Sequence, residues 1–210
     1  LQKLLNSCEE YADSHDIIYN VTKTYCMCIK PKCIKNLTVP DVFLNGRILK
    51  YIPVQKYLGC VISNNFKDYL DIERQIRYVY STGNSLVRNF KLCSDEVKFQ
   101  LFKTLCSNFY FCQLWSKYKA TSYNKLRVAY NNVFRSLLHL NRDCSISNYM
   151  VNNNLNGFHV IIRKQIFGFR KRIFSICNDI VNTIVSSLEF FDNTMNINWN
   201  EKLYLIQNTK

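Results

Sequence analysis

A chain of 210 residues is long enough to bury a substantial core, in one domain or two. Its apolar content of 48%, with 14 Phe and 14 Tyr, excludes a disordered or fibrous protein. Lys and Arg number 28 against 15 Asp and Glu, a net +13 that favours a polyanionic partner, nucleic acid before an anionic membrane surface.

In chain order, a one-sided spacing of Leu1, Leu4, Leu5, Cys8, Tyr11 and Ala12 predicts a helix over residues 1–15. The chain opens on Leu and directly in this helix, so it reads as a piece of something longer. An apolar run at 25–29 predicts a strand. Val42-Phe43-Leu44 and Ile48-Leu49 flank Asn45-Gly46, the pair whose positive φ angles suit a type I′ hairpin turn. Pro40 and Pro53 bracket it, and 57–62 reads as one further strand with Gly59 inside. Past Asn64-Asn65 the period becomes helical. Ile72, Ile76, Val79, Gly83, Leu86 and Phe90 form one stripe. Ser94 is placed to cap a helix through Val97, Leu101, Leu105, Phe109 and Cys112. Ser122 is expected to cap the next, whose inner side holds Leu126, Ala129, Tyr130, Val133, Leu137 and Leu140.

After a polar connection at 152–156, one long helix is expected over 158–188. At about 100° per residue, Ile162, Ile166, Phe169, Ile173 and Ile176 share one side of it, and Arg163, Lys164, Arg170 and Lys171 lie roughly opposite. That basic side is either a solvated face or a track for nucleic acid. The expected fold class is α+β, predominantly α. A small piece of helix, short strands and hairpin precedes a helical bundle, and it is expected to complete its sheet with strands not contained in these residues.

The positive charge is concentrated. Residues 68–177 carry 17 basic and 6 acidic side chains, against 9 and 5 before them and 2 and 4 after. Of ten cysteines only Cys26, Cys28 and Cys33 cluster, and no second pair or nearby His completes a tetrahedral metal set. Free thiols in a reduced, intracellular protein (nucleus or cytoplasm) are therefore expected. Asn20-Val21-Thr22 and Asn36-Leu37-Thr38 match the glycosylation sequon by chance on that reading. No apolar run reaches the ~18 residues of a membrane span, so no membrane partner is expected.

Two stretches resemble one family. "IIYNVTKTYCMCI" is similar to the segment after the catalytic strand pair in reverse transcriptases of non-long-terminal-repeat (LINE-type) retrotransposons, matching at Tyr19, Asn20, Lys23, Thr24, Met27 and Ile29. "VFLNGRILKYIPVQKYLGCVIS" resembles the hairpin that follows, with its Lys-Tyr-Leu-Gly core at Lys56, Tyr57, Leu58 and Gly59. "CSDEVKFQLFKTLCSNFYFCQLW" and "RVAYNNVFRSLLHLNRDCSISNYM" resemble the thumb and post-thumb helices of the jockey-like and chicken-repeat-like branches. The resemblance fades beyond residue 185. It implies a C-terminal part of a polymerase palm at 1–63, a helical thumb at 64–150 and a post-thumb region with a polar tail at 151–210.

The resemblance also disposes of a decoy. Tyr11-Ala12-Asp13 begins like the metal-binding Tyr-x-Asp-Asp signature, with Ser14 in place of the second Asp. In the family that turn precedes the "LQKLL"-type helix, so the metal-holding aspartates would lie upstream of Leu1. No metal-binding residue is expected here, although Mg²⁺ is expected for the full-length enzyme. Lys23 matches the basic position that supports nucleotide addition, with leaving-group protonation as its suggested role, and residues 56–59 match the primer grip. Apart from the resemblance, Lys23 reads as an exposed loop lysine and Gly59 as a glycine in a buried strand.

Arg74, Arg77, Arg88, Lys91, Arg127, Arg135, Arg163, Lys164, Arg170 and Lys171 are the candidates for phosphate contacts along a duplex. The implied partners are an RNA template, a DNA primer, their hybrid duplex and the N-terminal polymerase portion. The chain alone is expected to be inactive. The alternatives are a non-catalytic basic helical nucleic-acid-binding protein derived from such an element, or a decayed reading frame without function.

Overall fold

The computed structural model describes residues 1–30 and 37–204. Cys33 and Asn36 lie outside the described residues. The described residues are mostly α-helix, with three two-stranded sheets among them, and the chain divides into two units, Leu1–Lys67 and Asp68–Lys210.

The first unit begins with α1 (Gln2–Ser14), which buries Ala12. Tyr11 is exposed and stacks on His15 at 4.0 Å, so of the Tyr-Ala-Asp decoy only Ala12 lies on the buried side. Strands β1 (Tyr25–Cys26), β2 (Phe43–Leu44), β3 (Arg47–Ile48) and β4 (Lys50–Tyr51) follow, and the strand expected over 25–29 shrinks to two residues. β1 runs parallel to β4, with Tyr25 opposite Lys50. β2 and β3 form the expected hairpin, with Asn45 at φ 49° and Gly46 at φ 68°. The Gln2 amide donates to Phe43 O at 3.0 Å and accepts from Phe43 N at 2.9 Å, tying α1 to β2. Glu9 accepts from Asn45 N at 2.5 Å. Val42, Leu44 and Leu49 make a small core, covered by Leu5, Tyr19, Val21 and Cys26.

The strand expected over 57–62 is two strands. β5 (Val54–Tyr57) and β6 (Cys60–Ser63) pair antiparallel around Leu58-Gly59. Both turn residues have positive φ, 47° and 86°, the backbone of a type I′ turn. Gly adopts that conformation without a Cβ clash; Leu58 is held there by the turn.

The second unit is built on α2 (Tyr69–Asn89) and α4 (Ala120–Leu137), with α3 (Asp95–Leu105) between them in sequence. The expected α2 stripe packs inward, with Ile72, Val79, Gly83 and Leu86 buried. Gly83 marks a close approach to α4. A Cβ added there would lie 2.3 Å from Val133 Cγ1, on a β-branched side chain with little rotamer freedom. Gly83→Ala is therefore expected to cost about 1–2 kcal/mol in urea denaturation, overpacking outweighing the gain in helix propensity. In combination with Val133→Ala the glycine substitution should no longer destabilise, which a double-mutant cycle reads directly.

The helix expected through Cys112 ends at Leu105. Its buried side is Lys98, Phe102 and Cys106, whereas Val97 and Leu105 are exposed. Phe109 and Cys112 are buried from an irregular connection in which Phe111 takes φ 68° before a short 3₁₀ turn, Cys112–Leu114. Burial pushes the thiols of Cys106 and Cys112 up to about 12, as inert core groups. The N-cap of α4 is Lys119 rather than Ser122.

Two carboxylates fix the start of α2. Asp68 leaves its own helix uncapped and accepts instead from Ser116 N at 2.7 Å and Lys117 N at 2.6 Å. Asp71, in the first turn of α2, is buried and accepts from the Trp115 indole at 2.8 Å and Arg74 Nε at 2.7 Å.

After α5 (Ile146–Asn152), the long helix expected over 158–188 stops early, as α6 (Phe158–Ser175). Ile176 turns extended, and the Asn178 side chain caps α7 (Asp179–Val185) by accepting from Val181 N at 3.0 Å. Ile176, expected on the apolar side, is exposed. α8 (Leu188–Phe191) and α9 (Thr194–Tyr204) follow. The expected polar tail is core-forming: Val185, Phe190 and Trp199 are buried in the cluster that holds Ile72, Tyr130 and Ile162. Residues on both sides of position 150 thus share one core. Trp199 Nε1 donates to Gln113 O at 2.7 Å and Asn198 Nδ2 to Ser116 O at 2.9 Å. No helix among the described residues is long and apolar enough to cross a membrane.

Candidate nucleic-acid interface

In the first unit the Asn-x-x-Lys-Thr pattern has a local cause. The Asn20 side chain accepts from Lys23 N at 3.2 Å and from Thr22 Oγ1 at 2.7 Å, while Thr24 Oγ1 donates to Asn20 O at 2.9 Å. One 3₁₀ turn, Val21–Lys23, is closed on itself and leaves the Lys23 side chain exposed. Beside it a cleft of about 220 Å³ is lined by Thr22, Thr24, Arg47 and Lys50, so two cations meet two hydroxyls.

The β5–β6 hairpin places Lys56, Tyr57, Leu58 and Gly59 at a tip. Tyr57 is 62% exposed and Leu58 72%, which overturns a buried strand for these positions. An aromatic ring and a branched aliphatic side chain held out on a rigid turn suit contact with a base or sugar at the end of a strand.

In the second unit the basic candidates separate by what they touch. Arg77, Arg88 and Lys91 are exposed, and Arg77 and Arg88 lie opposite the buried stripe of α2. Arg74 is drawn inward by Asp71 and also reaches Tyr110 O at 3.4 Å. Arg170 donates to Asn200 Oδ1 at 2.7 Å with its guanidinium over the Phe174 ring, and Lys164 donates to Asn156 Oδ1 at 3.1 Å. Arg135 buries its Nε without a partner and reaches Asn132 Oδ1 only at 3.5 Å, whereas Lys171 is exposed. Among the described residues the ion pairs are Arg74–Asp71 at 2.7 Å and Lys98–Asp95 at 3.4 Å. None of the other nine candidates takes part in either.

A further constellation was not legible in the sequence. Tyr123 and Arg127, one turn apart on α4, meet His159 and Arg163, one turn apart on α6. Tyr123 OH lies 3.3 Å from His159 Nδ1, and their rings are 5.8 Å apart. Lys202 of α9 sits over the rings of Tyr118 and Tyr123, at 4.9 and 4.8 Å, and donates to the Tyr118 hydroxyl. Burial, then Arg127, Arg163 and Lys202, hold His159 below the usual histidine range. Burial also lowers Lys202 and pushes the Tyr118 hydroxyl up to about 12. The paired spacings were visible, but nothing local links them to Lys202, which lies 43 residues beyond His159.

The described residues do not fit a catalytic Mg²⁺ pair. Among the described residues no three His, Cys, Asp or Glu side chains converge, and the neighbouring carboxylates of Asp68 and Asp71 are engaged by backbone N–H groups, an indole and a guanidinium. Comparisons with protein-family models, with curated proteins and with solved structures return no match.

Proposed function

We propose that this chain is the primer-grip and thumb portion of an RNA-directed DNA polymerase of the LINE type, holding a primer–template duplex while metal-holding carboxylates are supplied from outside these residues. The observation that carries the reading is the β5–β6 hairpin, because the Lys-Tyr-Leu-Gly block that resembles a primer grip sits at an exposed, rigid tip. The Asn20 turn that presents Lys23 also sets Thr22 and Thr24 into a cleft with Arg47 and Lys50, which supports a neighbouring place for nucleotide phosphates. The exposed cations of the helical unit suit backbone tracking, which needs charge and shape rather than base readout.

The test is affinity for an RNA–DNA primer–template hybrid as a function of salt. A steep log–log decline is expected, roughly 0.7–0.9 per phosphate contacted; a flat one would sink the reading. Tyr57→Ala is expected to weaken binding to a recessed primer end about tenfold, from the loss of a base contact, while binding to a blunt hybrid changes little. Equal losses on both substrates would remove the primer grip from the reading. The chain by itself is expected not to extend a primer.

A further inference from the structure

Three cations meet on the face shared by α4, α6 and α9. Arg127, Arg163 and Lys202 all act on His159, and none of them belongs to either ion pair formed among the described residues. The carboxylates acting on this cluster are Asp68 and Glu201, and both bear on Lys202 and Tyr118; His159 feels only the cations. Like charges gathered on one face repel one another, and an excess of positive charge of that kind is relieved by a bound anion.

The surroundings give such an anion room and direction. Arg127 and His159 line a cleft of about 240 Å³ that also holds Asn131 and Ser147, both hydrogen-bonding side chains. The cleft opens at the start of α6, an 18-residue helix whose N-cap is Gly157 and whose first turn carries no acid. Its first N–H groups and dipole add to the attraction. The Tyr123 hydroxyl, 3.3 Å from His159 Nδ1, fixes the imidazole, and Lys202 over the tyrosine ring holds Tyr123 in turn.

We propose that Arg127, His159 and Arg163, backed by Tyr123 and Lys202, bind a single phosphate group of a nucleic-acid strand. That the phosphate belongs to nucleic acid rests on the proposed function; the anion site itself stands on the cluster and the cleft. A guanidinium offers paired donors to phosphate oxygens, and His159 can donate Nε2–H either as the neutral tautomer whose Nδ1 accepts from Tyr123 or as the imidazolium whose Nδ1–H donates to the tyrosine oxygen.

The experiment has two arms on the whole chain. In the first, the imidazole of His159 is titrated by NMR with and without inorganic phosphate, His15 and His139 serving as internal controls. Phosphate should move the His159 midpoint to higher pH, because an anion offsets the cations that depress it. A midpoint that moves no more than those of the controls overturns the site.

In the second arm, Arg127→Gln/Arg163→Gln is compared with the parent on the hybrid. Both side chains are half-buried at the surface, and thermal melts confirm that the variant folds. The salt slope should fall by about 0.7–0.9, the loss of one phosphate contact. An unchanged slope and affinity overturn the site while leaving duplex binding intact. A chain that ignores the hybrid yet shows the phosphate response at His159 removes the polymerase reading and keeps the anion site.

Discussion

Asp71→Ala is expected to destabilise the helical unit by about 3 kcal/mol. The carboxylate is 1% exposed and holds two donors from different parts of the chain, the Trp115 indole at 2.8 Å and Arg74 Nε at 2.7 Å. Alanine leaves the buried indole N–H without its acceptor and strands a half-buried guanidinium. Leaving a charged or buried donor unpaired costs more than the bond itself contributes. Asp71→Asn separates the two losses. It can still accept from Trp115 but gives up the charge, so about half of the destabilisation should return. Urea denaturation followed by Trp fluorescence reads both variants. An alanine variant within about 0.5 kcal/mol of the parent would mean that this carboxylate does not anchor the 115–117 segment to α2.

Trp199→Ala should cost more, about 3–5 kcal/mol. Trp199 is 1% exposed, packs edge-on to Phe169 and Phe190 at 5.8 and 6.3 Å, and donates to Gln113 O. Its removal opens a cavity beside the 3₁₀ turn that buries Cys112. Thiol alkylation gives a second readout: exposed Cys177 should react in both proteins, whereas Cys112 should become reactive only in the variant. Trp199→Phe keeps most of the packing and loses the N–H donor, so about 1 kcal/mol of its penalty belongs to the hydrogen bond. A Trp199→Ala protein as stable as the parent, with Cys112 still protected, would show that α9 is not part of the core.

The features readable in the sequence are those with local causes. Asn45-Gly46 announces its hairpin because both residues tolerate positive φ, and the α2 stripe is visible because one face of a straight helix repeats regularly. Leu58-Gly59 hid a turn because Leu rarely takes positive φ, so an apolar run concealed two strands. Phe109 and Cys112 keep a helical spacing after Leu105 yet reach the core from an irregular segment, and spacing alone does not distinguish the two routes. The aromatic residues beyond 185 gave no sign of their partners, since those partners lie near 113–116. The same holds for the anion cluster. Arg127 and Arg163 could be singled out as basic residues, but Tyr123, His159 and Lys202 acquire meaning only when three helices bring them together.

The separation of 86 positions from Gln113 to Trp199 also sets a timetable for the nascent chain. At about 5–20 residues per second, a ribosome needs roughly 4–17 s to make that stretch. Through the later part of that interval Phe109, Trp115 and the inner faces of α2 and α4 have been synthesised but lack their last cover. The first unit can form its local hairpins at once, while the second must wait until Trp199 has been made. Slowed translation between these positions prolongs the exposure, so the yield of soluble chain in a cell should depend on codon choice and chaperone supply over 113–199.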